Sequence, residues 1–135
     1  LRPQAPSELT VTDVRIGRHE GFERVVFELD GGGTPGWFVD YADTPTQQGS
    51  GKTIDYSGET ALNVNIDGVV YPFEAGKEDP RIGVVDAPTE GIVTQVVNGG
   101  TYEGRCQFVI GMTSRKPYSV QVLDNPTRLV VDIRD

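Results

Sequence analysis

The stretch from Tyr118 to Asp135 constrains the fold more than any other part of the chain. Leu129, Val131 and Ile133 alternate with Val130, Asp132 and Arg134, the period-two pattern of a β-strand with one apolar face. Tyr118 to Leu123 forms a second such run, and Asp124-Asn125-Pro126-Thr127 between them is made of turn-forming residues. A strand pair does not stand alone in water, so this one needs partners made earlier in the chain. Phe22 to Leu29 fits, because Val25, Phe27 and Leu29 alternate with Arg24, Val26 and Glu28. The two ends of the chain are therefore expected to pair and close the fold.

Taken in order, residues 1–8 (LRPQAPSE) read as a linker or chain edge, and 9–135 as a single domain. Glu8 to Arg18 carries a first strand with a bulge near Thr12-Asp13, and His19-Glu20-Gly21 turns it into Phe22–Leu29. After the Gly-rich break at 30–36, Trp37 to Tyr41 forms a short aromatic strand. Two more short strands are expected at Thr53–Tyr56 and Ala61–Ile66. The segment from Gly68 to Gly91 is the least regular, with candidate strands at Val69–Tyr71 and Ile82–Val85. Ile92–Val97 and Tyr102–Ile110 flank Asn98-Gly99-Gly100, which predicts a hairpin turning at Asn-Gly. No segment repeats apolar residues at helical spacing. Short strands with 17 Gly and 9 Pro indicate an all-β fold, an antiparallel β-sandwich or flattened barrel.

A chain of 135 residues can bury a core without metal or disulfide staples. Its net charge is −8, and the span from Asp30 to Glu103 holds 12 acids against 3 bases. Such a surface is unsuited to nucleic acid, whose phosphates demand a basic face. No apolar run approaches a membrane span. The lone cysteine, Cys106, forms no internal disulfide and reads as a semi-buried core residue. With His19 as the single histidine, most imidazole-based chemistry is excluded.

Gly49-Ser50-Gly51-Lys52-Thr53 resembles the tail of a phosphate-binding loop. Thr46 stands where that loop needs its first glycine, and strand and turn residues follow instead of a helix, so it reads as an exposed loop. The carboxylates at Asp40, Asp43, Asp55, Asp67, Glu78 and Asp79 lack calcium-loop spacing. Hydrolase and zinc signatures are absent. No cofactor or metal is expected.

Trp37, Tyr41 and Tyr71 flank Gly/Pro-rich segments, where an exposed ring beside amides and carboxylates suits sugar recognition. Core packing is the ordinary use of such rings. Arg18, Arg24 and Arg105 lie outside the acidic middle and could gather as a patch for carboxylates. Ordinary cross-strand ion pairing is the alternative.

Val14-Arg15-Ile16-Gly17-Arg18-His19-Glu20-Gly21-Phe22-Glu23-Arg24-Val25-Val26-Phe27-Glu28-Leu29, then Gly33-Thr34-Pro35-Gly36, and the ending Asn125-Pro126-Thr127-Arg128-Leu129-Val130-Val131-Asp132-Ile133 resemble the AMIN-like domain of actinobacterial secreted proteins and lipoproteins. Gly49-Ser50-Gly51-Lys52, Gly68-Val69-Val70-Tyr71-Pro72 and Gly104-Arg105 add to the likeness, which runs from about Thr12 to Asp135. The resemblance implies an extracytoplasmic β-sandwich, often tethered to the envelope by an N-terminal lipid. The related AMIN domain is associated with peptidoglycan. No catalytic residues come with the family. This chain begins at Leu1 without a lipobox cysteine, which fits a processed or truncated piece.

The expected function is a non-enzymatic cell-envelope module. It would bind cell-wall glycan or an envelope protein through Arg18, Arg24, Trp37, Tyr41, Tyr71 and Arg105. A protein–protein scaffold working through an exposed edge strand is the alternative from another class. A hydrolase using two carboxylates is a third.

Overall fold

A computed structural model describes residues 8–71, 76, 81–88 and 90–135. Nine strands are described: β1 (Glu8–His19), β2 (Phe22–Gly32), β3 (Gly36–Tyr41), β4 (Thr60–Asp67), β5 (Val84–Asp86), β6 (Val93–Tyr102), β7 (Arg105–Met112), β8 (Tyr118–Leu123) and β9 (Arg128–Arg134). They form two antiparallel sheets, ordered β1-β2-β9-β8 and β3-β4-β7-β6-β5. The sheets do not close on one another, so the fold is a sandwich and not a barrel. Strand β1 starts at Glu8, the last residue allotted to the opening linker. Residues 1–7, Pro72, Phe73, Lys77-Glu78-Asp79 and Pro80 lie outside the described residues.

The ends of the chain do zip together. Strand β9 pairs with β2 in the middle of its sheet, with Val25 opposite Val131 and Phe27 opposite Leu129. Alternation puts Val25, Phe27, Leu29, Leu129, Val131 and Ile133 on the inner face, all 2% exposed or less. The other layer answers with Leu62, Val64, Ile66, Phe108, Ile110 and Met112. Phe27 and Phe108 meet between the layers with ring centroids 4.8 Å apart. Each such side chain contributes roughly 1.5–3 kcal/mol by leaving water. The expected bulge is present, as the β1–β2 register shifts between Val11 and Asp13.

Of the candidate strands in the irregular segment, Val69–Tyr71 makes only an isolated bridge from Val69 to Leu9, and the strand expected at Ile82–Val85 is Val84–Asp86. Two further expectations are corrected. Thr53–Tyr56 is not a strand. It belongs to a strap, residues 42–59, that crosses the outer face of the five-stranded sheet. That face carries Ala61, Val97 and Val109, which Ile54 and Tyr56 cover. The strap lies close because β7 offers Gly111, where a Cβ would stand 2.2 Å from the Ser57 carbonyl oxygen. A short turn through Gly49-Ser50-Gly51 closes on the Thr46–Thr53 bridge, with Gln47 N–H donating to Lys52 C=O at 2.7 Å.

The second correction concerns the β6–β7 hairpin. It turns at Glu103-Gly104, both at positive φ (49° and 79°), and not at Asn98-Gly99. A two-residue turn with left-handed backbone at both positions matches the twist of paired strands. Asn98 to Gly100 is instead a register shift inside the hairpin. There Gly99 makes room for the strap, since a Cβ would lie 2.9 Å from Ile54 Cδ1.

Candidate functional site

The β6–β7 turn brings together side chains that are far apart in sequence. Register sets Gly36, Asp67, Arg105 and Tyr102 in one row across β3, β4, β7 and β6. Arg105 Nε and Nη2 approach Asp67 Oδ1 and Oδ2 at 2.5 and 3.4 Å. Gly68 and Val69, just past β4, donate their N–H groups to the Gly104 carbonyl at 2.9 and 3.1 Å. That fixes the path of the chain into Tyr71, whose hydroxyl donates to Thr101 C=O at 2.7 Å.

Two openings flank the Gly100-Thr101 backbone. On the outer side, a groove of about 430 Å³ is lined by Gln47, Gln48, Ser50 and Tyr102. Gly49 of the strap packs against the Tyr102 ring, where a Cβ would fall 3.0 Å from Cε2. Gln48 is held by its side-chain amide donating to Arg105 C=O and its N–H donating to Gln107 Oε1, both at 3.3 Å. Gln107, 2% exposed, in turn donates to Thr46 C=O and Asn63 Oδ1. On the inner side, a cleft of about 220 Å³ runs between the layers past Tyr71, Asn98 and Cys106. Asn98 is oriented by donating to Ile82 C=O at 2.8 Å. Tyr71 and Tyr102 thus stand on either side of one backbone ridge, 39% and 45% exposed. Rings, amides and hydroxyls in this arrangement can stack on and hydrogen-bond a polyhydroxylated ligand.

The six residues singled out from sequence do not form one patch. Tyr71 and Arg105 belong to this end, and Trp37 lies near it on β3, half-buried against the core. Tyr41 is at the opposite end, its hydroxyl bonded to the backbone of Lys116, with the Arg115 guanidinium 5.1 Å over its ring. Arg18 reaches Glu90 C=O at 2.7 Å. Arg24 lies on the open face of the four-stranded sheet, bound at 2.8 and 3.0 Å to both oxygens of Asp132. The arginines are thus engaged in cross-strand and loop contacts. The sequence did not place Tyr102, Gln47, Gln48 or Ser50 among the expected ligand-binding residues; the Gly49–Lys52 loop and the Glu103-Gly104 pair were the available signals.

Cys106 is 3% exposed, and burial pushes its thiol up to about 11. It pairs with Thr101 near the hairpin turn, whereas His19 stacks on Phe22 at the far end of the sandwich. The two do not meet. Among the described residues no cluster of His, Cys, Asp and Glu gathers in a metal-binding arrangement, and no helix is long and apolar enough to cross a membrane.

Fold and surface together define a two-layer antiparallel β-sandwich module with a shallow aromatic and amide site at one end. The chain belongs to the AMIN-like domain family, whose model matches residues 9–135. That family is associated with the cell envelope. Neither a curated protein nor a solved structure matches the chain.

Proposed function

We propose that this domain is an extracytoplasmic, non-enzymatic module that binds cell-wall glycan at the β6–β7 end. The observation that carries the reading is the pair of exposed rings, Tyr71 and Tyr102, on either side of Thr101 beside fixed amides. Sugar rings offer apolar C–H faces for stacking and hydroxyls for hydrogen bonds, and this surface offers both counterparts. Membership of an envelope-associated family supports the same class of ligand. The acidic middle of the chain argues for a neutral part of the wall, the glycan backbone, over its anionic polymers.

The test is co-sedimentation with purified peptidoglycan, followed by titration with soluble glycan fragments. Wild type should sediment, and Tyr102→Ala and Tyr71→Ala should each lose at least about tenfold in affinity, some 1.4 kcal/mol. Equal retention of wild type and the double variant would remove the reading.

A further inference from the structure

We propose that two copies of this chain pair antiparallel through β8, about a two-fold axis at Val120, and so join their four-stranded sheets. The first observation is the orientation of the β8 backbone. Arg134 N–H donates to Pro117 C=O at 2.9 Å. In an antiparallel ladder this turns residues 117, 119, 121 and 123 toward β9. The N–H and C=O groups of Tyr118, Val120 and Val122 therefore point outward along the sheet edge, and among the described residues no backbone group meets them.

The other three edges are blunted. Strand β1 carries a bulge, and its Leu9 backbone is bonded by Gly68 and Val70. Strand β3 has its Val39 carbonyl taken by the Tyr118 hydroxyl at 3.1 Å. Strand β5 is 3 residues long. Strand β8, YSVQVL, has none of these protections: it contains no charge, proline, glycine or bulge. An edge of this kind is a template for a further strand.

The sequence of β8 selects a second copy as that strand. Directly opposed residues share a face, so a continuous sheet requires like faces to meet. With Val120 on the axis, Val120 faces its own copy and Tyr118 faces Val122 on the core side. Ser119 faces Gln121 on the solvent side, where both are exposed. Every outward backbone group then finds a partner. The same register sets Lys116 opposite Asp124 at each end, an attractive pair in a chain of net charge −8. Moving the axis to Gln121 loses that match and sets Tyr118 against Asp124. Pairing of this type is isologous and closes at two copies.

Sedimentation velocity from micromolar to millimolar concentration tests the proposal. Wild type should dimerise reversibly. The variant Ser119→Lys/Gln121→Lys, which changes only exposed side chains, should dimerise at least tenfold more weakly, because like charges then face one another across the axis. Mixed with Ser119→Glu/Gln121→Glu, it should form a heterodimer tighter than either variant alone. A wild type monomeric at millimolar concentration overturns the proposal. So does a dimer that the lysine pair leaves unchanged, or charge-swapped variants that do not combine.

Discussion

Glu23 and Ile92 meet across the two layers: the Glu23 carboxylate accepts the Ile92 N–H at 2.7 Å and, through its other oxygen, the Val93 N–H at 3.1 Å. Glu23 sits on the inner face of β2 and is 3% exposed, so a charged group pins the entry to β6 onto the opposite sheet. Glu23→Ala leaves two N–H groups without an acceptor. It should destabilise the fold by about 3–6 kcal/mol, since hydrogen bonds to charged groups contribute roughly 1.5–3 kcal/mol each. Glu23→Gln keeps one acceptor oxygen and should cost less. Urea unfolding midpoints decide this, and an unchanged midpoint for the alanine variant would contradict it.

Cys106 should make the protein sensitive to alkali. Its thiol rises from 9.0 to about 11 on folding, because burial disfavours the thiolate. Below pH 9 the thiol is protonated in both states, and no stability is lost. As pH rises through 9 to 11 the unfolded chain ionises first, and the fold loses up to about 3 kcal/mol. Cys106→Ala should flatten the stability profile over that window, although its stability at neutral pH falls through lost packing. In the native protein at pH 7, thiol reagents should react only through opening of the fold.

Gly111→Ala tests the strap. The added methyl would meet Ser57 C=O and the Thr94 hydroxyl that donates to it. Either the strap lifts from Ala61 and Val109 or β7 shifts, and overpacking of this kind costs roughly 1–3 kcal/mol. Faster proteolysis within residues 42–59, with the rest of the domain protected, is the expected signature. Because Gly49 of the same strap packs on Tyr102, the variant should also weaken glycan binding.

Glycan binding should depend little on salt, because stacking and neutral hydrogen bonds are hardly screened. Arg24→Ala separates the site from the ion pairs. It breaks the contact with Asp132, which is partly exposed, so about 1 kcal/mol of stability or less should go. Binding should stay at the wild-type level. A steep salt dependence, or loss of binding on Arg24→Ala, would move the site to the open face of the four-stranded sheet.

The pairing of β2 with β9 was legible in the sequence because apolar alternation is written locally, with Val25, Phe27 and Leu29 in one strand and Leu129, Val131 and Ile133 in the other marking the inner face. The β1 bulge was legible for the same reason, as Val11 and Val14 break the alternation that Val14 and Ile16 resume. The β6–β7 turn was misplaced because Asn98-Gly99 has the chemistry of a hairpin turn. Its glycines answer instead to a register shift and to the passing strap, which are tertiary facts.

The amino-acid sequence by itself determined the all-β class, the pairing of its ends and the family, since these follow from period-two patterns and local signatures. Only the tertiary structure decided that Tyr71 and Tyr102 flank one ridge, that the arginines are engaged, and that β8 lies at a sheet edge with no backbone partner on its outer side among the described residues. Those outcomes depend on which strands become neighbours and on what covers each face. Residues far apart in the chain settle such matters through packing, and no single segment encodes them.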